Sequence, residues 1–331
     1  RRIKKEIIIL HYTKSSILNK NVSKLGFGTL QIGGPTIFGG KQIGMGKVDQ
    51  KQAINSINLA VENGINFFDT ADIYGKGLSE TILTKALGSR INDVIICTKF
   101  GNRELSEHKS SYDFSSHWLE SVLNESLKRL RRDYIDIFLF HSPPDDFDWN
   151  QYDFTALEKL KDQGKIISYG VSCHSYRGAE RLLNFENISA LEFIYNIIDR
   201  RIESKVLNHQ NIKNKTTIAR VPLCMGFLSG KYFKQFPNYN SNDFRSNIKR
   251  EHSDWIVESV RKLGFLNKLE GGISASAIRF CLSNDKISTI IPGMRNTEQV
   301  QRNLEAENLG PLSLTEIERI RYLIPDVHPD W

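Results

Sequence analysis

Residue types able to move a proton collect at the ends of three apolar runs. The run FFDTADIYG brings Asp69 to its end and Tyr74 into the turn that follows; CTKFG ends the next run with Lys99; FLFHSPP ends a third with His141. Taken singly, each has an ordinary use: Asp69 as a turn cap, Tyr74 as a loop anchor, His141 as a satisfied core histidine before the Pro-Pro turn. Lys99 fits such a use less easily, because a buried ammonium is costly unless paired, and Asp69 is its obvious partner. Together the four suit one reaction. A carbonyl that accepts hydride gathers negative charge on oxygen and needs a proton. Tyrosine can supply it, but its ordinary pKa of about 10 is high for neutral pH, and a nearby lysine cation lowers that value by stabilising tyrosinate. The aspartate keeps the lysine charged and fixed. The histidine can hydrogen-bond the carbonyl oxygen, orient it, or share in the proton transfer. This chemistry needs no metal, and no CxxC, Cys/His or HExxH spacing offers one a site.

The elements that must position these residues are legible as alternating patterns. Strands are expected over 24–29, 65–71, 93–100, 134–141, 166–173, 190–196, 216–221 and 288–292. Several are apolar at consecutive positions (VIIC, IDIFLF), as suits strands buried on both faces of a parallel sheet. Helices fit between them. Asp49 starts one, with Gln52 placed for a capping box and Gly64 after its end. Another runs from about 115 to 131, with Leu119, Val122, Leu123, Leu127 and Leu130 as its apolar stripe, and others lie over 274–283 and from near Thr297 and Ser313. Eight strands alternating with helices in one chain point to a closed (β/α)8 TIM barrel of the α/β class, whose active sites gather at the C-terminal strand ends. The alternative is an open doubly wound sheet. Its nucleotide fingerprint is missing: Gly26-Phe-Gly28-Thr-Leu-Gln31 has Gln in place of the third Gly, and no helix starts there. The division expected is a tail over 1–11 and one barrel over 12–331. The chain opens without Met, so its start is not expected to be the native one.

FFDTADIYG, TKFG and FLFHSPP, with KNVSKLGFGTL, YGVSCHS, VPLCMGFLSGK and IPGMRNTEQVQRN in the same order, resemble the aldo/keto reductases from about Tyr12 to Ile324. The resemblance implies a (β/α)8 barrel, NAD(P)H-dependent carbonyl reduction or its reverse, and a tetrad of Asp69, Tyr74, Lys99 and His141 with Tyr74 as general acid. It also implies a cofactor site. Gly28, Thr29, Leu30 and Asp69 fall on its first strand ends. Ser172 matches a serine that binds the nicotinamide amide, while Cys173 stands where Asn is frequent. Glu192 stands in place of a glutamine that binds the same amide, and an ionised carboxylate has no donor to offer there. Arg220 replaces an aromatic residue that stacks on the nicotinamide. Val221, Leu223, Gly226, Leu228, Gly230 and Lys231 match the pyrophosphate stretch, and Gly293, Arg295, Gln299 and Asn303 the adenosine-ribose end. Arg295 as a partner for a 2′-phosphate favours NADP(H) over NAD(H); Gln299, where many NADP-dependent members carry Arg, argues the other way.

The remaining composition narrows the partners. The 331 residues carry a net charge of +7, spread rather than blocked. That reads as a solvated basic surface rather than a nucleic-acid face. No apolar run approaches a membrane span of about 20 residues, so no membrane partner is expected. Cys97, Cys173, Cys224 and Cys281 are well separated, as suits reduced thiols in the cytoplasm. The partner expected is a small carbonyl or alcohol, a sugar-type carbonyl included, with the oligomeric state left open. Phe38, Met45 and Trp149 are candidate pocket walls or loop-packing residues, and the irregular stretch 230–252 is a candidate rim or cover. Two other functions stay open: a non-catalytic, redox-sensing NADP(H)-binding subunit, and the same chemistry run as a sugar or alcohol dehydrogenase.

Overall fold

A computed structural model describes residues 10–233 and 236–326. Its centre is an eight-stranded parallel sheet: β1 Phe27–Gly28, β2 Phe67–Asp69, β3 Ile95–Phe100, β4 Ile135–His141, β5 Ile166–Ser172, β6 Ala190–Ile194, β7 Thr216–Arg220 and β8 Thr289–Ile291. The strands neighbour one another in chain order. Parallel bridges Leu25–Ile290 and Gly28–Gly293 join the first to the last. The Gly26 and Gly28 amides donate to Ile290 O (2.8 Å) and Pro292 O (3.0 Å), closing the barrel. Gly28 permits this approach, because a Cβ there would lie 2.6 Å from the Ile291 carbonyl oxygen.

Strand periodicity sorts side chains to two faces. Phe67, Ile95, Cys97, Ile137, Leu139, Ala190, Ile218 and Ile291 form one buried cluster that fills the lumen. Leu18 and Val22, from the antiparallel hairpin of Tyr12–Ser15 and Lys20–Ser23, join that cluster and plug its lower end. Phe68, Ile96, Phe138, Phe140 and Phe193 have the opposite parity and pack in the larger cluster beneath the helices. Asp69, Lys99, His141, Ser172, Glu192 and Arg220 have the lumen parity and form its last layer at the C-terminal strand ends. The sequence therefore sends six polar side chains to the barrel mouth by period-two alternation alone.

The described helices are α1 Gln50–Glu62, α2 Leu78–Leu87, α3 Ser116–Leu130, α4 Thr155–Asp162, α5 Tyr176–Arg181, α6 Arg250–Lys262, α7 Gly272–Leu282, α8 Thr297–Asn308 and α9 Leu314–Leu323. Asp49 caps α1 by accepting from the Lys51 and Gln52 amides, Ser115 caps α3 from Trp118 N, and Ser313 and Glu316 form a full capping box on α9. The stretch expected to be irregular over 230–252 instead gives way at Arg250 to α6, whose Ile256, Val257 and Val260 are buried. Residues 1–9 of the expected tail lie outside the described residues. Leu10 packs against the core, and the His11 amide donates to Glu307 Oε1 (2.9 Å).

Candidate active site

Lys99 is fully buried at the end of β3. Its ammonium donates to Asp69 Oδ1 (2.5 Å) and to Thr70 O (3.0 Å), and lies 3.4 Å from Glu192 Oε2. It also stands 5.3 Å from the centroid of the Tyr74 ring. His141 meets that ring edge-on at 5.9 Å between centroids. The four residues expected to act together do converge. Thr29 serves this geometry from behind: its Oγ donates to Asp69 O (2.8 Å) and accepts from Ser79 Oγ (2.7 Å). That ties the Asp69 strand end to α2.

Burial works against the Lys99 charge, but Asp69, then Glu192, outweigh it and hold its pKa well above the ordinary lysine value. Tyr74 departs from the sequence expectation. Lys99 does lower its pKa, yet burial is the larger effect, and Asp69 and Glu192 add to it, so the phenol is pushed up overall. Tyr74 is thus a firmly protonated donor rather than a partly ionised one. Burial, helped by Lys99 and Arg220, depresses the His141 pKa well below the usual histidine value. His141 is a neutral imidazole whose Nδ1 is buried and has no hydrogen-bond partner among the described residues.

Ser172, Glu192 and Arg220 continue the layer across the mouth. Ser172 Oγ donates to Glu192 Oε1 (2.8 Å), and Arg220 Nε lies 4.0 Å from the same oxygen. Arg220 also donates from Nη2 to Cys173 O (3.2 Å). Asp69, Cys97 and Glu192 bring possible ligand atoms within 4.8 Å of one another. The Lys99 ammonium already supplies a cation between the two carboxylates, and it would repel a second.

A cleft of about 480 Å³ opens beside Tyr74 and runs between the β1, β7 and β8 strand ends. Of the residues singled out for a cofactor, Gly28, Leu30, Asp69, Glu192, Arg220, Val221, Leu223, Gly226, Lys231, Gly293, Arg295 and Gln299 line it. Thr29, Ser172, Leu228, Gly230 and Asn303 do not: Thr29 and Leu228 are fully buried, Leu228 in the hydrophobic core, and Asn303 is buried on α8. Backbone beside the cleft is left-handed at Val221, Cys224, Met225 and Gly226, with φ of 61°, 47°, 53° and 94°. Val221 is β-branched, and such a residue tolerates positive φ poorly. Runs of this kind turn peptide N–H groups toward one side and make concavities suited to anions.

This sequence matches the aldo/keto reductase family over residues 24–325. The chain belongs to the aldo/keto reductase family. It is similar to the aldo-keto reductase YhdN of Bacillus subtilis, 31% identical over 88% of this chain and 87% of that protein. A probable voltage-gated potassium channel subunit beta of Arabidopsis thaliana is 29% identical, covering 91% of this chain and 95% of its own. Among solved structures, the holo form of aldo-keto reductase AKR11C1 from Bacillus halodurans superposes with a TM-score of 0.78 at 27% identity, covering 97% of this chain and 99% of that one.

The far end of the cleft holds groups that sequence reasoning missed. Arg245 binds Asp243 through two nitrogens (2.9 and 2.6 Å), donates to Met225 O (3.0 Å) and stacks 4.3 Å from the Tyr239 ring centroid. It fixes the 236–248 segment against the strained β7 turn. The same segment is tied to the β1 loop by Phe244 N to Gly44 O (2.9 Å) and Gln42 Nε2 to Asn242 O (2.9 Å). No local sequence pattern marks Arg245. Asn296 was findable: it caps α8, accepting from Gln299 N (3.0 Å). Gln299 Oε1 in turn accepts from Arg295 N (2.8 Å), so its carbonyl is committed to shaping the turn. Arg295 has no ion pair among the described residues. Burial and the Arg245 charge lower its pKa, the environment of a cation awaiting an anion. Of the candidate walls, Met45 lines the cleft. Phe38 lines a separate depression with Asp72, Trp118 and Arg129, and Trp149 packs against Phe147 and Tyr152 of its own loop and Phe140 of β4.

Proposed function

We propose that this chain reduces an aldehyde or ketone with NADPH, Tyr74 giving the proton. The observation that carries the reading is the buried Lys99–Asp69 pair beside the Tyr74 ring, at the edge of a long cationic cleft. The donor set fits a nicotinamide dinucleotide. The left-handed run at 224–226 and Lys231 suit its pyrophosphate, Arg295 a 2′-phosphate, and the buried Glu192 Oε2 and Arg220 Nε, neither hydrogen-bonded among the described residues, a polar ring amide. When bound, that cofactor supplies or accepts the hydride. Tyr74 donates its phenolic proton to the carbonyl oxygen as negative charge develops there. Lys99, fixed by Asp69 and Thr70 O, stabilises the phenolate left behind. Neutral His141 orients the carbonyl oxygen by a hydrogen bond. The four buried, free cysteines suit a reducing compartment such as the cytoplasm. A small carbonyl compound, sugar-type carbonyls included, is the substrate class.

The test is Tyr74→Phe, with NADPH binding followed by tryptophan fluorescence and turnover by NADPH oxidation against a panel of aldehydes and ketones. Turnover falls by roughly 10²–10⁴-fold, the usual share of a general acid, while NADPH affinity holds. Undiminished turnover would remove Tyr74 from the role. The similarity to a channel beta subunit favours a second reading, a cofactor-binding subunit without turnover of its own; tight NADPH binding with no turnover of any panel member would support it.

A further inference from the structure

Glu192 is the one carboxylate of the barrel-mouth layer that the proton-transfer chemistry leaves unused. It lies on β6, across the lumen from β2 and β3, and is 1% exposed, yet it lines the cleft. It stands in an alternating row of charges, Asp69, Lys99, Glu192 and Arg220, contributed by four different strands. Neither cation engages it closely: Lys99 Nζ is 3.4 Å from Oε2 and Arg220 Nε is 4.0 Å from Oε1. Among the described residues its hydrogen bond is the one Ser172 Oγ donates to Oε1, and Oε2 has no hydrogen-bond partner. A buried carboxylate with a free acceptor atom at the wall of a cleft attracts positive charge brought into that cleft, and water cannot screen it.

We propose that Glu192 selects the redox state of the bound nicotinamide, favouring the cationic oxidised ring over the neutral reduced one. This rests on the reading of the cleft as a nicotinamide site. The two cofactor forms share pyrophosphate, riboses and amide and differ at the ring by a unit charge. A group that only shapes the pocket affects both forms alike, whereas a charge facing the ring affects their ratio. Ser172 at the end of β5 and the adjoining Cys173 carry no charge to compensate it. Lys99 and Arg220 carry their charge in both forms of the complex. Asp69, whose carboxylate lies within 4.8 Å of Glu192, keeps its pairing with Lys99 in both forms of the complex.

The experiment measures dissociation constants of NADP+ and NADPH for the wild-type protein, Glu192→Gln and Glu192→Asp by tryptophan fluorescence, without substrate. Gln keeps the shape and the acceptor oxygen and removes the charge. The ratio of the NADP+ constant to the NADPH constant rises roughly tenfold or more in Glu192→Gln, the size expected when one unit charge near the ring is lost. Glu192→Asp, which keeps the charge, leaves the ratio within about threefold of wild type. An unchanged ratio in Glu192→Gln, or equal weakening of both forms, overturns the proposal and leaves Glu192 a shaping residue. Failure of the wild-type protein to bind either form would instead overturn the cofactor reading itself.

Discussion

Replacing Lys99 with Met tests the electrostatic design of the barrel mouth apart from turnover. Met has a similar length and no charge, so packing is largely kept. What is lost is the ammonium at 2.5 Å from Asp69 and 3.4 Å from Glu192, along with the donor to Thr70 O. At an effective dielectric of about 20, two unit charges at 4 Å interact by about 4 kcal/mol. Breaking a buried pair costs about 3–5 kcal/mol in practice, because the orphaned carboxylate stays desolvated. The pH dependence follows from Asp69. Burial, then Glu192, already raise its pKa well above the usual carboxylate range against the pull of Lys99, and losing Lys99 raises it further. A carboxyl whose folded-state pKa exceeds its unfolded value of about 4 takes up a proton on folding. Wild type already bears this penalty up to its own raised value, so the loss that Lys99→Met adds grows only as pH rises through the raised wild-type value and is complete above the still higher value of the variant. Urea unfolding of wild type and Lys99→Met at pH 5 and pH 8 reads this directly. The expected loss is about 3–5 kcal/mol at pH 8, smaller at pH 5 by up to about 1.4 kcal/mol per pH unit. A loss below about 1 kcal/mol at pH 8, or one that shrinks as pH rises, would refute the reasoning, since it would mean that Lys99 compensates no buried charge.

Arg295→Ala should weaken NADPH by roughly 10–100-fold and NADH by less than about threefold, the share of a charge-assisted contact to one phosphate; parallel fluorescence titrations check it, and equal losses would remove the 2′-phosphate partner. Because the Tyr74 phenol is held above its ordinary range, its protonated form is complete below that raised value. Carbonyl reduction should therefore keep its chemical rate from about pH 7 to pH 9, while alcohol oxidation, which needs the phenolate, should climb throughout. His141, with its pKa depressed, should add no acid limb near its usual value of about 6.5. Single-turnover rates across that range would show it, and a reduction limb falling near neutral pH would contradict the Tyr74 environment.

Much of the barrel was legible because its signals are local. Consecutive apolar residues marked β3 and β4, and Asp49, Ser115 and Ser313 marked helix starts, because caps and buried strands depend on near neighbours in the chain. Helix α6 was missed beside a stretch rich in Asn, Lys and aromatic residues, which masked an apolar stripe only three residues strong. The hairpins at Asn102–Ser106 with Lys109–Tyr112 and at Ile37–Phe38 with Lys41–Gln42 are short and largely exposed, so no hydrophobic alternation announced them.

By itself the sequence determined which residues reach the barrel mouth. Asp69, Lys99 and His141 end strands whose inward positions are set by period-two alternation, and adjacent strands deliver neighbours. It could not determine what crosses the lumen. Glu192 reaches Lys99 only because closure at Gly28 and Gly293 brings β6 opposite β3. Lys99 still lowers the Tyr74 pKa, but the net shift is upward, since burial and two carboxylates outweigh Lys99 and Arg220. Pairwise chemistry can be read from residue types and spacing. Desolvation and summed charge depend on every element packed around the group, and only the tertiary structure decides them.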